Sequence, residues 1–519
     1  MQLTSIIRRA AQVNPTGIAT IQGDRQQTWA QFVDRVSRLA GALRGLGVGP
    51  GDRVALLSLN SDRYLEYYYA VVWAGGAMMP MNVRWAPPES AYALNDAGAR
   101  ILMVDDAFAP AVPAITAEAK GVETLIFCGD GDTPDGMLNY ETLVAEAAPA
   151  PDANRSGDDL ADVFYTGGTT GFPKGVMLSH TNLFVGGISN CDALYLKEGA
   201  IYLHVAPMFH IADLIFFTAV SFVAGTHVVV PRFTPEDTLA AIEAHKVTHV
   251  LLVPVMLQMV LQSPQLADCN ADSLQYIGYG ASPITEAVLA QAFKAFPKTQ
   301  FLQAYGQTEL APVATILDTR YHTFDGPHAG KLRSAGQATR ICEVRIVGAD
   351  GTEVPRGEVG EITVSGPVTM LGYWNKPDIT AKTKKDGWVY TGDAGYMDDE
   401  GFVFLVDRLK DMIVSGGENV YSTEVENALA RHPAVATSAV IGIPSDQWGE
   451  AVHAIVILND GMTASEEELK AHCHDLIAGY KCPRSISFRT DPMPLSGANK
   501  VLKTELRKPF WDGHDRAIN

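Results

Sequence analysis

Residues 165–176 read YTGGTTGFPKGV and concentrate the residue types that hold phosphates. Gly167, Gly168 and Gly171 let backbone N–H groups approach oxyanions, Thr166, Thr169 and Thr170 add hydroxyl donors, and Lys174 adds a point charge. That chemistry suits a polyphosphate. It is not a Walker A loop, which needs G-x-x-x-x-G-K-[ST]: Pro173 precedes the lysine and Gly175 follows it.

Elements must hold these groups in place. Through the first 400 residues, strand-like runs (53–59, 99–104, 248–253) alternate with helical patterns (64–75, 284–296). That alternation predicts an α/β architecture with mainly parallel sheet. Residues 67–83 and 214–231 are long and uncharged, but Gly, Pro and polar interruptions make them buried helix–turn–strand segments rather than membrane spans. Residues 148–159 are rich in Pro, Asp and Gly and read as an exposed connection. From about 333 to 404, short strands with close glycine turns predict a small β-subdomain. Beyond Asp407, helices over 422–430 and 464–477 and strands over 435–443 and 451–458 predict a compact domain. Thr463 and Glu466 have capping-box spacing at the start of its second helix.

Of 519 residues, 47% are hydrophobic and 19% charged, which excludes a mainly disordered chain, a fibre and a disulfide miniprotein. The net charge of −19 repels nucleic-acid phosphates, so no nucleic-acid partner is expected. Six scattered cysteines without a C-x-x-C pair indicate neither a zinc site nor a disulfide framework and fit the reducing cytoplasm. Arg8 and Arg9 follow a short apolar stretch, the reverse of a signal peptide. Between Lys481 and Lys508, seven basic residues stand against two acidic ones. This cationic island is either a solvated face or a lid over an anionic ligand. In the run His472-Cys473-His474, Cys473 shares an apolar helix face with Leu469 and Leu476, which favours core over metal ligation.

YTGGTTGFPKG resembles the phosphate loop of the adenylate-forming superfamily: acyl-CoA and aryl-CoA synthetases, peptide-synthetase adenylation domains and luciferases. The other blocks follow in the superfamily's order over essentially the whole chain. YGQTE (305–309) resembles the block in which Thr308 contacts phosphates and Glu309 holds Mg2+, a cation that accepts one carboxylate when phosphate oxygens supply its other ligands. YTGD (390–393) resembles the block whose Asp393 binds the ribose hydroxyls, although alone it would read as the β-turn aspartate of a T-G-D corner. DRLKD (407–411) resembles the hinge block, with Arg408 on the ribose side and Lys410 at the pivot. SGGENVYSTEVE (415–426) continues it, and Gly416 and Gly417 would line a thiol tunnel. YGAS (279–282), through Tyr279, Gly280, Ala281 and Ser282, resembles the strip whose backbone borders adenine, on which Tyr305, followed by Gly306, would stack. The last block carries Lys500 six residues after Pro494, in register with the superfamily's catalytic lysine, although Asn499 stands where glycine is usual. Lys503 is the next lysine should that register shift. The implied organisation is an AMP- and acid-binding body over 1–407 and a mobile α+β lid over 411–519, with the hinge at 408–410.

In PMFHIADL (207–214), His210 resembles the histidine that CoA ligases place in the acid pocket, to which Tyr279 and Gly280 would also belong. Trp448, Tyr480 and Arg484 fall where aryl-CoA ligases contact CoA, while Cys482 stands at a place that is basic in some relatives. The resemblance implies an AMP-forming carboxylate–CoA ligase using ATP, Mg2+ and coenzyme A on a small-molecule acid, with a homodimer left open. No Lys or Arg occurs in 204–231, 276–283 or 299–319, which argues against a second carboxylate on the acid. A medium- or long-chain fatty acid, and hence lipid metabolism, leads. An aryl acid of the cinnamate or benzoate type follows, and an enzyme loading a carrier-protein thiol is the rival acceptor reading.

Overall fold

The computed structural model describes residues 1–168, 171–282, 284–408, 411–415, 418–445, 447–495 and 501–512. It divides into two compact units. One comprises Met1–Ile284, Val288–Val344 and Val364–Val389; the other comprises Thr285–Ala287, Arg345–Thr363 and Tyr390–Asn519. The second unit therefore gathers strand-rich stretches of the expected β-subdomain together with the residues beyond the expected hinge. Side chain–backbone bonds tie those stretches: Thr391 Oγ1 donates to Ile362 O (2.7 Å) and Gly392 N donates to Glu361 Oε1 (2.9 Å).

The first unit is built on two large sheets. A nine-stranded sheet runs in the order Gln337–Ala338, Thr315–Leu317, Gln300–Tyr305, Tyr276–Gly280, His249–Leu251, Ile201–His204, Thr226–Val229, Ile18–Gln22, Arg25–Thr28. Its central pairings are parallel and antiparallel neighbours sit at both ends. An eight-stranded sheet runs Gly372–Tyr373, Gly171–Ser179, Leu160–Gly168, Ala77–Pro80, Arg53–Leu57, Ile101–Val104, Thr124–Phe127, Leu138–Asn139. From Leu160–Gly168 to Leu138–Asn139 it is parallel. The two uncharged stretches are helix–turn–strand units. In the first, Ser61 caps Asp62–Ala74 by accepting from Tyr64 N, Gly75 ends the helix at φ 107°, and Ala77–Pro80 follows. Every residue of this helix is buried, and its Glu66 is paired with Arg35 at 2.6 Å, as burial of a charge demands. No helix among the described residues is long and apolar enough to cross a membrane.

In the second unit, Val435–Ser445 and Gly449–Leu458 form a long antiparallel ladder that Ser485–Phe488 joins in parallel. The following helix begins later than its sequence pattern implied. Ser465, not Thr463, is the N-cap, and its capping box is closed by Glu468 over Glu466–His474. Leu469 and Cys473 lie in the core, but Leu476 falls beyond the helix end and is 40% exposed, so it does not share that face. No group of three metal-ligating side chains occurs among the described residues. The cationic island is largely neutralised: Lys481 pairs with Glu424, Lys503 with Glu426, Arg507 with Asp411 and Lys508 with Glu505.

Candidate active site

The glycine–threonine–lysine segment forms the arms of a hairpin. Leu160–Gly168 and Gly171–Ser179 pair antiparallel, with Thr166 opposite Lys174 and Gly168 opposite Gly171. Its outer half is anchored by Tyr165, which lies opposite Gly175 and whose hydroxyl donates to Asp96 Oδ2 at 2.7 Å. Gly372–Tyr373 adds as a third strand, Tyr373 opposite Val176, and Trp374 N donates to Gly175 O at 2.7 Å. Lys174 lies two residues from Val176 and so shares its face of the strand. The lysine ammonium sits 5.0 Å from the centre of the Tyr373 ring. The hydroxyl of that ring donates to Glu309 Oε1 at 2.7 Å. Burial, and then the charge of Glu309, raise the Tyr373 pKa, so the phenol stays a donor. Glu309 itself is 9% exposed, in the turn Thr308–Leu310 that follows Gln300–Tyr305. Lys174 and Glu309, far apart in sequence, thus meet on one tyrosine.

Beside this cluster, Tyr276–Gly280 and Gln300–Tyr305 run parallel, with Gly280 opposite Ala304. A Cβ at Gly280 would stand 2.2 Å from Ala304 O, so only glycine fits. Ala281 turns away in the left-handed region at φ 66°, leading into Ser282. Tyr305 is 8% exposed, and Gly306 lies so close to Pro312 O (2.0 Å from a Cβ) that it too must lack a side chain. Tyr279 is fully buried, its hydroxyl 3.0 Å from His322 Nε2. His210 is half-buried at the N-cap of Ile211–Phe222, its ring 4.2 Å from that of Phe209.

In the second unit, Asp393 and Arg408 stand directly opposite in an antiparallel ladder, and Asp393 is buried. Arg484 lies 4.9 Å over the Trp448 ring, whereas Tyr480 is 42% exposed and carries Lys481 at 5.7 Å. Cys482 is buried. Thr169, Thr170, Lys410, Gly416, Gly417, Asn499 and Lys500 lie outside the described residues.

Alongside the glycine-rich hairpin, Glu309 and the Asp393–Arg408 register, the chain has likenesses to known proteins. The family model for AMP-binding enzymes matches residues 7–374, and that for the AMP-binding enzyme C-terminal domain matches 424–500. The chain is 38% identical over 503 residues to a feruloyl-CoA synthase of an Amycolatopsis species, covering 97% of this chain and 98% of that protein. It is 35% identical over 514 residues to a fatty acid–[acyl-carrier-protein] ligase of Streptomyces coeruleorubidus, covering 98% and 96%. The solved structure of o-succinylbenzoate CoA synthetase from Bacillus subtilis, with its acyl-adenylate intermediate, matches at a TM-score of 0.84 and 30% identity, over 96% of this chain and 97% of that one. The chain belongs to the adenylate-forming superfamily.

Two features of this adenylate-forming chain escaped the sequence reading. Tyr373 lies in GYWN, a short aromatic run without a charged residue, and only its pairing with Val176 brings it to Lys174 and Glu309. The other is a buried polar chain behind Ile211–Phe222. His204 Nδ1 is 2.7 Å from Asp213 Oδ2, His204 Nε2 is 2.9 Å from His227 Nδ1, and His227 Nε2 is 3.2 Å from Ser221 Oγ. All four residues are fully buried, and burial drives the His227 pKa well below its ordinary value. Their signal was present: polar residues recurring in otherwise apolar strands and helix.

Proposed function

We propose that this chain activates a carboxylic acid with an uncharged tail, using Lys174, Thr308 and Glu309 at the hairpin, and transfers it to coenzyme A. The chain is an AMP-forming carboxylate–CoA ligase that uses ATP, Mg2+ and CoA. The observation that carries the residue assignment is the Lys174–Tyr373–Glu309 cluster, a cation and an acid held on one ring beside the glycine-rich hairpin. The donor set fits Mg2+: a single buried carboxylate beside a phosphate hairpin leaves most ligand positions to phosphate oxygens and water, as this cation prefers. When bound there, it would neutralise charge on the departing pyrophosphate.

A carboxylate oxygen of the acid attacks the α-phosphorus and pyrophosphate leaves. The carboxylate is already a competent nucleophile, so the residues act by positioning and charge neutralisation. Lys174 and Thr308 hold phosphate oxygens, and Lys500 completes the cationic set. Gly280, Ala281, Ser282, Tyr305 and Gly306 border adenine, and Asp393 and Arg408 hold the ribose. His210 faces the carboxyl end of the acid. The lid then turns about Lys410, the CoA thiol attacks the acyl carbonyl with loss of its proton, and AMP leaves. Gly416, Gly417, Trp448, Tyr480 and Arg484 serve CoA.

A medium- or long-chain fatty acid is the leading substrate, because residues 204–231, 276–283 and 299–319, the segments expected to wall the acid, are rich in apolar residues and carry no Lys or Arg. The aromatic contact between Phe209 and His210 favours an aryl acid as the second reading. A panel of acids scored by CoA-dependent AMP release, with a carrier protein as the alternative acceptor, tests both. Release that is independent of every acid overturns the proposal. Glu309→Gln should cut pyrophosphate release at limiting Mg2+ by at least tenfold, while acyl-adenylate supplied ready-made is still converted to thioester. Unchanged release at limiting Mg2+ refutes the role of Glu309.

A further inference from the structure

Lys174 and Glu309 carry opposite charges at the edge of one site, and in an unliganded enzyme such charges tend to neutralise each other. Here they form no ion pair among the described residues. Each is engaged instead by Tyr373, Lys174 through the ring face at 5.0 Å and Glu309 through the hydroxyl at 2.7 Å. Both contacts are of ordinary strength: a cation within about 6 Å of a ring centroid, and a charge-assisted hydrogen bond of good length.

The tyrosine is fixed from several sides. Tyr373 N donates to Thr380 Oγ1 at 2.8 Å, which in turn donates to Lys376 O at 2.9 Å. Gly372 precedes it at φ 150°, where an added Cβ would stand 2.8 Å from Thr380 Cγ2. Upstream, Met370 N donates to Glu309 O at 2.9 Å, and Lys384 Nζ donates to Met370 O at 2.6 Å. Asn182 Nδ2 holds the same segment through Pro367 O (2.7 Å) and Thr369 O (3.1 Å). The backbone that delivers the phenol is therefore tied to the very turn that carries Glu309.

We propose that Tyr373 is a positioning residue for the magnesium–phosphate site: its hydroxyl fixes Glu309 with one oxygen left for the metal, and its ring keeps Lys174 apart for phosphate. This rests on the ATP- and Mg2+-dependent reading above. The two contacts are separable. Tyr373→Phe removes the hydroxyl and keeps the ring; Tyr373→Leu removes both and lets Lys174 and Glu309 approach.

ATP binding measured by calorimetry without any acid, in Mg2+ and in EDTA, separates the roles without turnover. Tyr373→Phe should weaken ATP binding about tenfold in Mg2+, the loss of one hydrogen bond to a charged group, and leave binding in EDTA within twofold. Tyr373→Leu should weaken both. In a double-mutant cycle, Tyr373→Phe should add less than twofold once Glu309 is Gln, because the hydroxyl acts through that carboxylate. Equal weakening of the Phe variant in Mg2+ and EDTA, or full additivity with Glu309→Gln, overturns the proposal. If the parent enzyme itself binds ATP without regard to Mg2+ and releases no AMP with any acid, the functional reading fails instead.

Discussion

Lys503 stands three residues after Lys500, and its own surroundings are those of a structural group. Its ammonium lies 2.7 Å from Glu426 Oε1 and donates to Ser422 Oγ, whose hydroxyl donates to Asp407 Oδ2 at 2.7 Å. Glu426 Oε1 also accepts from Val440 N at 2.7 Å. A lysine committed to a largely enclosed pair is a structural group, not a free charge for a substrate, which leaves Lys500 as the candidate for adenylation. Removing one partner of a buried pair costs about 3–5 kcal/mol; with side chains 14% and 21% exposed, about 2 kcal/mol is expected here. Lys503→Met should therefore lower the urea midpoint while retaining acid-dependent pyrophosphate release. Lys500→Ala should do the reverse, slowing acyl-adenylate formation by orders of magnitude with the midpoint unchanged. A stable Lys503→Met variant that cannot adenylate would reverse the assignment.

At the scale of elements, periodicity and punctuation located most of the body. The helix read over 64–75 is Asp62–Ala74 and the strand read over 53–59 is Arg53–Leu57, because uniform burial writes itself as unbroken apolar runs. The start of Glu466–His474 was misplaced because two hydroxyl residues each have a glutamate three positions on, and only Ser465 has the geometry to use it. The glycine–threonine–lysine segment stands out by composition, but its pairing as a hairpin does not, since glycines and a proline carry no strand pattern. Tyr373 was invisible for a different reason: its partners lie 199 and 64 residues away, and no local rule reports such contacts. Gly280 shows how strictly an element can constrain a candidate site residue. Gly280→Ala would force its strand off Gln300–Tyr305, at a cost of about 1–3 kcal/mol. It should weaken ATP binding more than it lowers the melting temperature of the ligand-free protein. A variant with parental ATP affinity would show that this strand edge does not border the nucleotide.

Across the whole molecule, buried histidines are one contribution to the response to acid. Burial pulls His180, His249 and His322 of the first unit from 6.5 to about 4. Their rings act as neutral groups: His322 Nδ1 donates to Asp318 O (3.1 Å) while its Nε2 accepts from the Tyr279 hydroxyl (3.0 Å). His180 Nδ1 accepts from Leu3 N at 3.4 Å. In the unfolded chain these rings take up protons as pH falls through about 6.5, whereas the folded chain resists until about 4. The stability they contribute is thus fully present above pH 6.5 and is lost progressively between 6.5 and 4, at most about 3 kcal/mol for each ring. Asp162 works in the opposite sense, because burial raises its pKa well above that of an ordinary carboxylate and the folded state holds its proton more tightly. Total acid sensitivity therefore mixes both signs, and a single substitution isolates one. His322→Gln, which keeps a donor and an acceptor but cannot be protonated, should flatten the fall in urea midpoint between pH 6.5 and 4.5 by the share of one proton. At pH 7.5 it should cost only what its altered hydrogen bonds to Tyr279 and Asp318 cost. If the slope against pH is the same as in the parent, His322 is not titrating from a buried neutral state.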